Sequence, residues 1–212
     1  MKRFSDFTQS FKEEKISGWG RRNFVVSKFC NFKDTNQIQT FLNQFKDLKF
    51  IPRGLGRSYG DAAQLSKNCI LNIDCLNEIS VSGEQVTVGG GVSINKLLKT
   101  IIPLGLFLPV TPGSSNVTIG GAIAADVHGK NHHRDGSLGN HVTRLLILNG
   151  NGEIEELKPI NDSKDNINDF FWATIGGMGL TGVILEATIS LIRIQTSSIK
   201  VDTFICNDLE KL

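Results

Sequence analysis

Apolar side chains at Ile38, Phe41, Leu42, Phe45 and Leu48 fall on one face of a helix over DTNQIQTFLNQFKDL, and Asp34 is placed to cap its start. The next period is different. KFIP, CILNI, EISVSG and QVTVGG are short runs rich in β-branched residues, and they predict strands, the last two joined at a Ser-Gly turn. SINKLLKTII returns to helical spacing with Ser93 as its cap. The stretch GLFLPVTPGSSNVTIGGAIAAD predicts a loop and then a helix of small residues packed tightly on a neighbour. VTRLLILNGNGEIEEL predicts a hairpin turned by Asn-Gly pairs, and INDFFWATIGG a short helix. TGVILEATISLIRI alternates apolar and polar residues like one long, half-buried strand. Many short strands with few helices between them predict an α+β fold rather than a doubly wound sheet.

The chain has 212 residues, 40% of them apolar, which is enough for a sizeable core. Its net charge is only +2, so no basic footprint suggests nucleic acid. The longest apolar runs are too short to span a bilayer, and MKRFSDFTQSFKEEK lacks the apolar stretch of a secretory signal. Four cysteines without ligand spacing read as reduced thiols of a cytoplasmic protein. Glycine is the informative excess: 22 residues, most of them clustered at 54–60, 83–91, 113–121, 129–139, 150–152 and 176–182. Glycine lets backbone approach a ligand closely. Several such loops in one small domain imply a ligand with a long polar spine.

GMGLTG, Gly177 to Gly182, spells G-x-G-x-x-G, but a strand pattern follows it where a dinucleotide fingerprint needs a helix. It reads as a turn packed closely on a neighbouring element or ligand. No Walker A loop is present. In IPRGLGRSYGDAA, Gly54, Gly56 and Gly60 punctuate a loop directly after a strand. Such a loop can turn successive N–H groups inward as an anion nest, with Arg53 and Arg57 adding charge and Ser58 a hydroxyl. An ordinary glycine turn with solvated arginines is the other reading.

The stretches SGWGRR, PRGLGRSYGDAAQ, PGSSNVTIGGAIAADVHGKNHHRDGSLGNHV and FWATIGGMGLTGVI resemble the vanillyl-alcohol-oxidase-like flavoproteins, and within them the polyprenyl-phospho-ribose oxidases. The likeness runs from about Gly18 to about Ile194. It implies a PCMH-type FAD-binding domain of two α+β subdomains at 18–195, after an N-terminal arm at 1–17. Family members are much longer, so the expectation is a chain truncated before the substrate domain, with 196–212 as that domain's start and little turnover alone.

The resemblance also implies site residues. Pro52, Arg53, Gly54, Leu55, Gly56, Arg57, Ser58, Tyr59, Gly60, Asp61 and Ala62 match the family's pyrophosphate loop. Gly113, Thr118, Ile119, Gly120, Gly121, Ala125, Asp126, Val127, His128 and Val183 match its cofactor wall. Arg57 stands where some relatives attach FAD through a histidine, so non-covalent FAD is expected. All four histidines, His128, His132, His133 and His141, fall in one stretch. Their spacing is not that of a metal site, and no metal is expected. A solvated loop is one reading of that stretch. The resemblance implies another, with His128 and Lys130 as catalytic residues at the flavin and substrate, and Trp19 and Lys130 on the substrate side.

The implied reaction is oxidation of the C2 hydroxyl of a sugar-phosphate lipid, the first half of an epimerisation completed by an NADH-dependent short-chain reductase. Peripheral association with the inner membrane through the lipid substrate goes with it. Two alternatives stay open: another sugar or aldonolactone oxidase of the same superfamily, and a non-catalytic flavin-binding module that needs a partner chain.

Overall fold

The computed structural model describes residues 11–159 and 167–211. The first sheet holds β1 (Phe11–Ile16), β2 (Val25–Cys30), β3 (Phe50–Arg53) and β4 (Cys69–Asn72) in the order β1-β2-β4-β3. Strands β1 and β2 form an antiparallel hairpin, whereas β4 runs parallel to both β2 and β3. Helix α1 (Thr35–Gln44) makes the crossover from β2 to β3. Its start is capped as expected: Asp34 Oδ1 accepts from Gln37 N–H at 2.8 Å. Ile38 and Phe41 are fully buried, and the Phe41 ring packs against those of Phe32, Phe45 and Phe50.

The larger sheet is antiparallel. Its strands are β5 (Ile79–Ser82) and β6 (Gln85–Gly89), then, after the two-residue β7 (Leu106–Phe107), β8 (Val142–Asn149), β9 (Ile154–Leu157) and β10 (Gly182–Ser190). They lie in the order β5-β6-β10-β8-β9, and β7 pairs instead with β11 (Ile192–Arg193). Helix α2 (Ile94–Ile101) starts under Ser93, whose Oγ accepts from Lys96 N–H. Helix α3 (Ile119–Ala124) starts under Thr118, and α4 (His132–Asp135) and α5 (Ile167–Thr174) complete the set.

Three readings of the sequence change. Residues 11–16, inside the segment expected to be an arm, form edge strand β1, and 1–10 lie outside the described residues. The strand expected over TGVILEATISLIRI stops at Ser190, and after the buried Leu191 the chain leaves to pair with β7. Nor is β10 half-buried at its start: Val183, Ile184 and Leu185 are all covered. Val183 and Leu185 join Leu148 against the α1 cluster, while Ile184 joins Leu145 and Ile147 against α2 and α3. The larger sheet is therefore buried on both faces there, and one face is the junction with the first subdomain.

That junction is knitted by main chain. Gly90 N–H donates to the Leu185 carbonyl at 2.9 Å, and Gly120 N–H donates to the Gly90 carbonyl at 2.8 Å. A Cβ on Gly90 would lie 2.1 Å from the Ile184 carbonyl oxygen. Gly90→Ala is expected to destabilise the fold by about 1–3 kcal/mol, the usual cost of overpacking. A lowered midpoint of urea unfolding would show it, and an unchanged midpoint would contradict this packing.

Candidate functional site

A cleft open to solvent lies where the two subdomains meet. One wall is the loop leaving β3: Pro52, Gly54 to Ser58, Ala62 and Ala63. The other is the small-residue run of α3 and its flanks, Val117, Thr118, Gly120 to Ala122, Ala124, Ala125 and Val127. Met178, Gly179, Gly182 and Ile184 close the end at β10. The walls touch at Gly54, where a Cβ would lie 2.2 Å from Thr118 Oγ1. That same oxygen accepts from Gly121 N–H at 3.2 Å and caps α3. Arg57 is the one charged side chain among the described lining residues. It stacks on Trp19 at 4.8 Å, and its Nε donates to the Asn116 carbonyl across the cleft at 3.3 Å.

The loop supplies polarity through its backbone. Among the described residues, no amide from Gly54 to Ala63 donates to a protein acceptor. Its carbonyls are held: Trp19 N–H donates to the Ser58 carbonyl, and Gln64 Nε2 donates to the Gly60 carbonyl. The loop is exposed or half-buried throughout, so these amides meet water or, in the cleft, a ligand acceptor. Two buried side-chain oxygens also have no partner, Gln64 Oε1 and Thr181 Oγ1, each one or two residues from a lining residue. Walls of glycine and alanine suit a flat ring system, and free amides suit a diphosphate. The site fits a flavin dinucleotide.

The histidine stretch borders a second groove. His128, Gly129, Lys130, Asn131, Arg134 and Asp135 face Phe107 to Pro109, Thr111 to Gly113 and Ile192. Asn131 fixes the groove, since its Nδ2 donates to the Pro109 carbonyl at 2.9 Å and to Asp135 Oδ2 at 2.6 Å. The Arg134 guanidinium and Asn131 hold the Asp135 carboxyl below the usual carboxylate range. The His128 and His132 rings lie 5.0 Å apart. His141 Nε2 sits 2.9 Å from the Asp135 carbonyl, turned to the backbone. Among the described residues, no three His, Cys, Asp or Glu side chains converge as a metal site.

The residues singled out in the sequence fall into groups. Pro52, Gly54, Leu55, Gly56, Arg57, Ser58, Ala62, Thr118, Gly120, Gly121, Ala125 and Val127 line the cleft. Gly113, His128 and Lys130 line the second groove instead. Ile119 and Val183 are core residues, and Asp126 Oδ1 accepts from Gly139 N–H at 2.9 Å. Tyr59, 76% exposed, stands outside both cavities, as do Gly60 and Asp61. Trp19 meets the cleft through its stack on Arg57. Arg53 differs from the expected anion-facing cation. Its guanidinium turns behind the loop, donating to the carbonyls of Ala63 at 2.6 Å and Ser17 at 2.9 Å, and burial lowers its pKa. Sequence reasoning missed Ala63, Ile73, Val117, Ala122, Ala124, Met178, Gly179, Gly182 and Ile184 as lining residues. The glycines of GMGLTG were the available signal, since Gly179 and Gly182 bring Met178 and Ile184 to the cleft.

Residues 27–158 match the FAD binding domain family. The chain is 40% identical over 204 residues to decaprenylphosphoryl-beta-D-ribose oxidase of Mycolicibacterium smegmatis, an alignment covering 93% of this chain and 44% of that protein. It is 25% identical to D-arabinono-1,4-lactone oxidase of Candida glabrata over 82% of this chain and 35% of that protein. It is 27% identical to cytokinin dehydrogenase 2 of Arabidopsis thaliana over 73% of this chain and 30% of that protein. The chain thus spans less than half the length of these relatives. Gly54→Val drives a side chain into Thr118 and is expected to weaken FAD binding about tenfold or more, from about 1–3 kcal/mol of overpacking. Titration of FAD fluorescence measures it, and wild-type affinity in the variant would separate this wall from the cofactor.

Proposed function

The chain belongs to the FAD-binding domain family, with FAD as its cofactor, and from that premise we propose that it is the flavin-binding portion of an oxidoreductase that converts the C2 hydroxyl of a polyprenyl-phospho-ribose to a ketone. The observation that carries the reading is the cleft itself, with glycine and alanine walls and a loop of unpaired amides. The substrate class is supported by the likeness to the Mycolicibacterium oxidase across nearly the whole chain.

Amides of Gly54 to Ser58, Ala62 and Ala63 hold the diphosphate, and the small side chains of α3 admit the flat ring. When bound, FAD supplies the two-electron acceptor for the hydride leaving the sugar. Arg57 reaches across the cleft and stacks on Trp19, and a guanidinium is not a flavin attachment point where some relatives carry a histidine, so attachment is non-covalent. The second groove receives the substrate. Lys130 supplies positive charge for its phosphate, and Phe107, Pro109, Pro112 and Ile192 supply an apolar wall for the prenyl chain. His128, in the same groove, accepts the proton that the sugar hydroxyl loses. Release of a keto sugar calls for a separate NADH-dependent reductase to complete an epimerisation. Among the described residues no helix is long and apolar enough to cross a membrane. Association with a membrane surface comes through the lipid substrate.

Oxidation of an aldonolactone is the second reading, favoured by the likeness to the Candida lactone oxidase. Anaerobic titration of the FAD-loaded protein separates the two. Prenyl-phospho-ribose is expected to bleach the visible flavin bands, while lactones and free alditols leave them unchanged. Bleaching by lactones alone would reverse the assignment. Acid precipitation is expected to leave the yellow colour in the supernatant, and a yellow pellet would contradict non-covalent attachment.

A further inference from the structure

We infer that Arg53 is a positioning residue of the FAD site: from behind the loop it ties the loop's far end to the β1–β2 connection, fixing the shape in which the loop meets the diphosphate, and it places a cation beneath it. The inference rests on the FAD reading above. A trans peptide is planar, so a C=O and the N–H that follows it point in opposite directions. Anchoring a loop carbonyl on one side therefore sends the next amide to the other side. Here Trp19 anchors the Ser58 carbonyl, Gln64 the Gly60 carbonyl and Arg53 the Ala63 carbonyl. None of these three donor residues lines the cleft. These three anchors fix the peptides at 58–59, 60–61 and 63–64, and Gln64 N–H donates to the Asp61 carbonyl at 2.9 Å and closes the loop.

Arg53 does more than one such job. One guanidinium nitrogen holds Ala63 at the loop's far end, and another reaches Ser17 in the neighbouring β1–β2 connection. The middle of the loop lies directly on the guanidinium: a Cβ on Gly56 would meet Arg53 Nη2 at 2.2 Å. Gly56 also has φ +64°, so only glycine sits there without strain. Among the described residues Arg53 forms no ion pair with a carboxylate. Its charge is left to act on whatever the amides bind, in surroundings of lowered dielectric where charges are weakly screened.

The test is FAD affinity of the full chain, read by fluorescence titration at several salt concentrations, for wild type, Arg53→Met, Arg53→Lys and Gln64→Leu. Arg53→Met is expected to weaken FAD roughly tenfold to hundredfold, the usual effect of losing hydrogen bonds to a charged group, with a flatter salt dependence. Arg53→Lys keeps the charge but cannot span both carbonyls as a fork, so it restores the salt dependence and part of the affinity. Gln64→Leu frees the Gly60 carbonyl and lowers affinity several-fold with the salt dependence unchanged, which tests the anchoring even if Arg53→Met does not fold. Wild-type affinity in Arg53→Met or in Gln64→Leu would overturn the proposal. So would a loss in Arg53→Met with unchanged salt dependence and no recovery in Arg53→Lys. A wild-type chain that binds no FAD would instead bring down the FAD reading, and the proposal with it.

Discussion

Two stretches of main chain in this protein approach so closely that no side chain fits between them. The Gly90 carbonyl accepts from Gly120 N–H, and the Gly90 amide donates to Leu185 on the other side. Helix α3 is thereby fixed to the edge of β6 and to β10 by backbone alone. The position of α3 sets the floor of the cleft, and Thr118 at its cap sets where the β3 loop can rest. Side-chain packing could not do this as well, because rotamers and volumes adjust whereas a carbonyl in a strand ladder does not. The site inherits its geometry from sheet hydrogen bonds.

The same arrangement explains why the two subdomains share a core. The larger sheet turns Leu148, Val183 and Leu185 toward α1 and the first sheet, and Ile147 and Ile184 toward α2 and α3. Burial on both faces removes the solvent-facing register that an antiparallel sheet usually keeps. The two sides of the cleft are thus clamped by the layer beneath them. An unpaired amide run at the top of such a clamp meets water until a ligand acceptor replaces it. A ligand at about a thousand times its dissociation constant would add roughly 4 kcal/mol to the stability of a fold built this way.

Much of this was legible from local pattern. The caps Asp34 and Ser93 and the apolar stripes of α1 and α2 are short-range facts, and short-range chemistry enforces them. The tight packing of the small-residue helix also follows from its residues, since Gly and Ala leave backbone as the contacting surface. What could not be read depended on partners distant in the chain. FKEEKI looks like a polar arm because β1 is an edge strand with one hydrogen-bonded neighbour, and its charged residues face solvent. The break after Ser190 depends on Leu191 and on a pairing with β7 some eighty-five residues back. Arg53 looked like a solvated or anion-facing cation because nothing local says which way its side chain turns. Its acceptors, Ser17 and Ala63, come from both sides of the chain.

The direction of Arg53 bears on how the site handles charge. A cation that touched the phosphate oxygens would bind any phosphate group, at any distance along the cleft that its flexible stem could reach. Amides fixed in a loop have no such freedom. They are useful to an anion only where two or more of them converge, and they carry no side-chain entropy to lose. The described cleft lining holds one charged side chain, and that one is engaged with Trp19 and Asn116. On the proposed reading, recognition of the diphosphate depends on spacing, because the ring must reach the α3 wall while the anion meets the loop. A rigid loop with its cation held behind it thus discriminates by the length of the ligand as well as by its charge. On the proposed reading, in which the reactive ring stops beside the second groove, that is the property the chemistry requires.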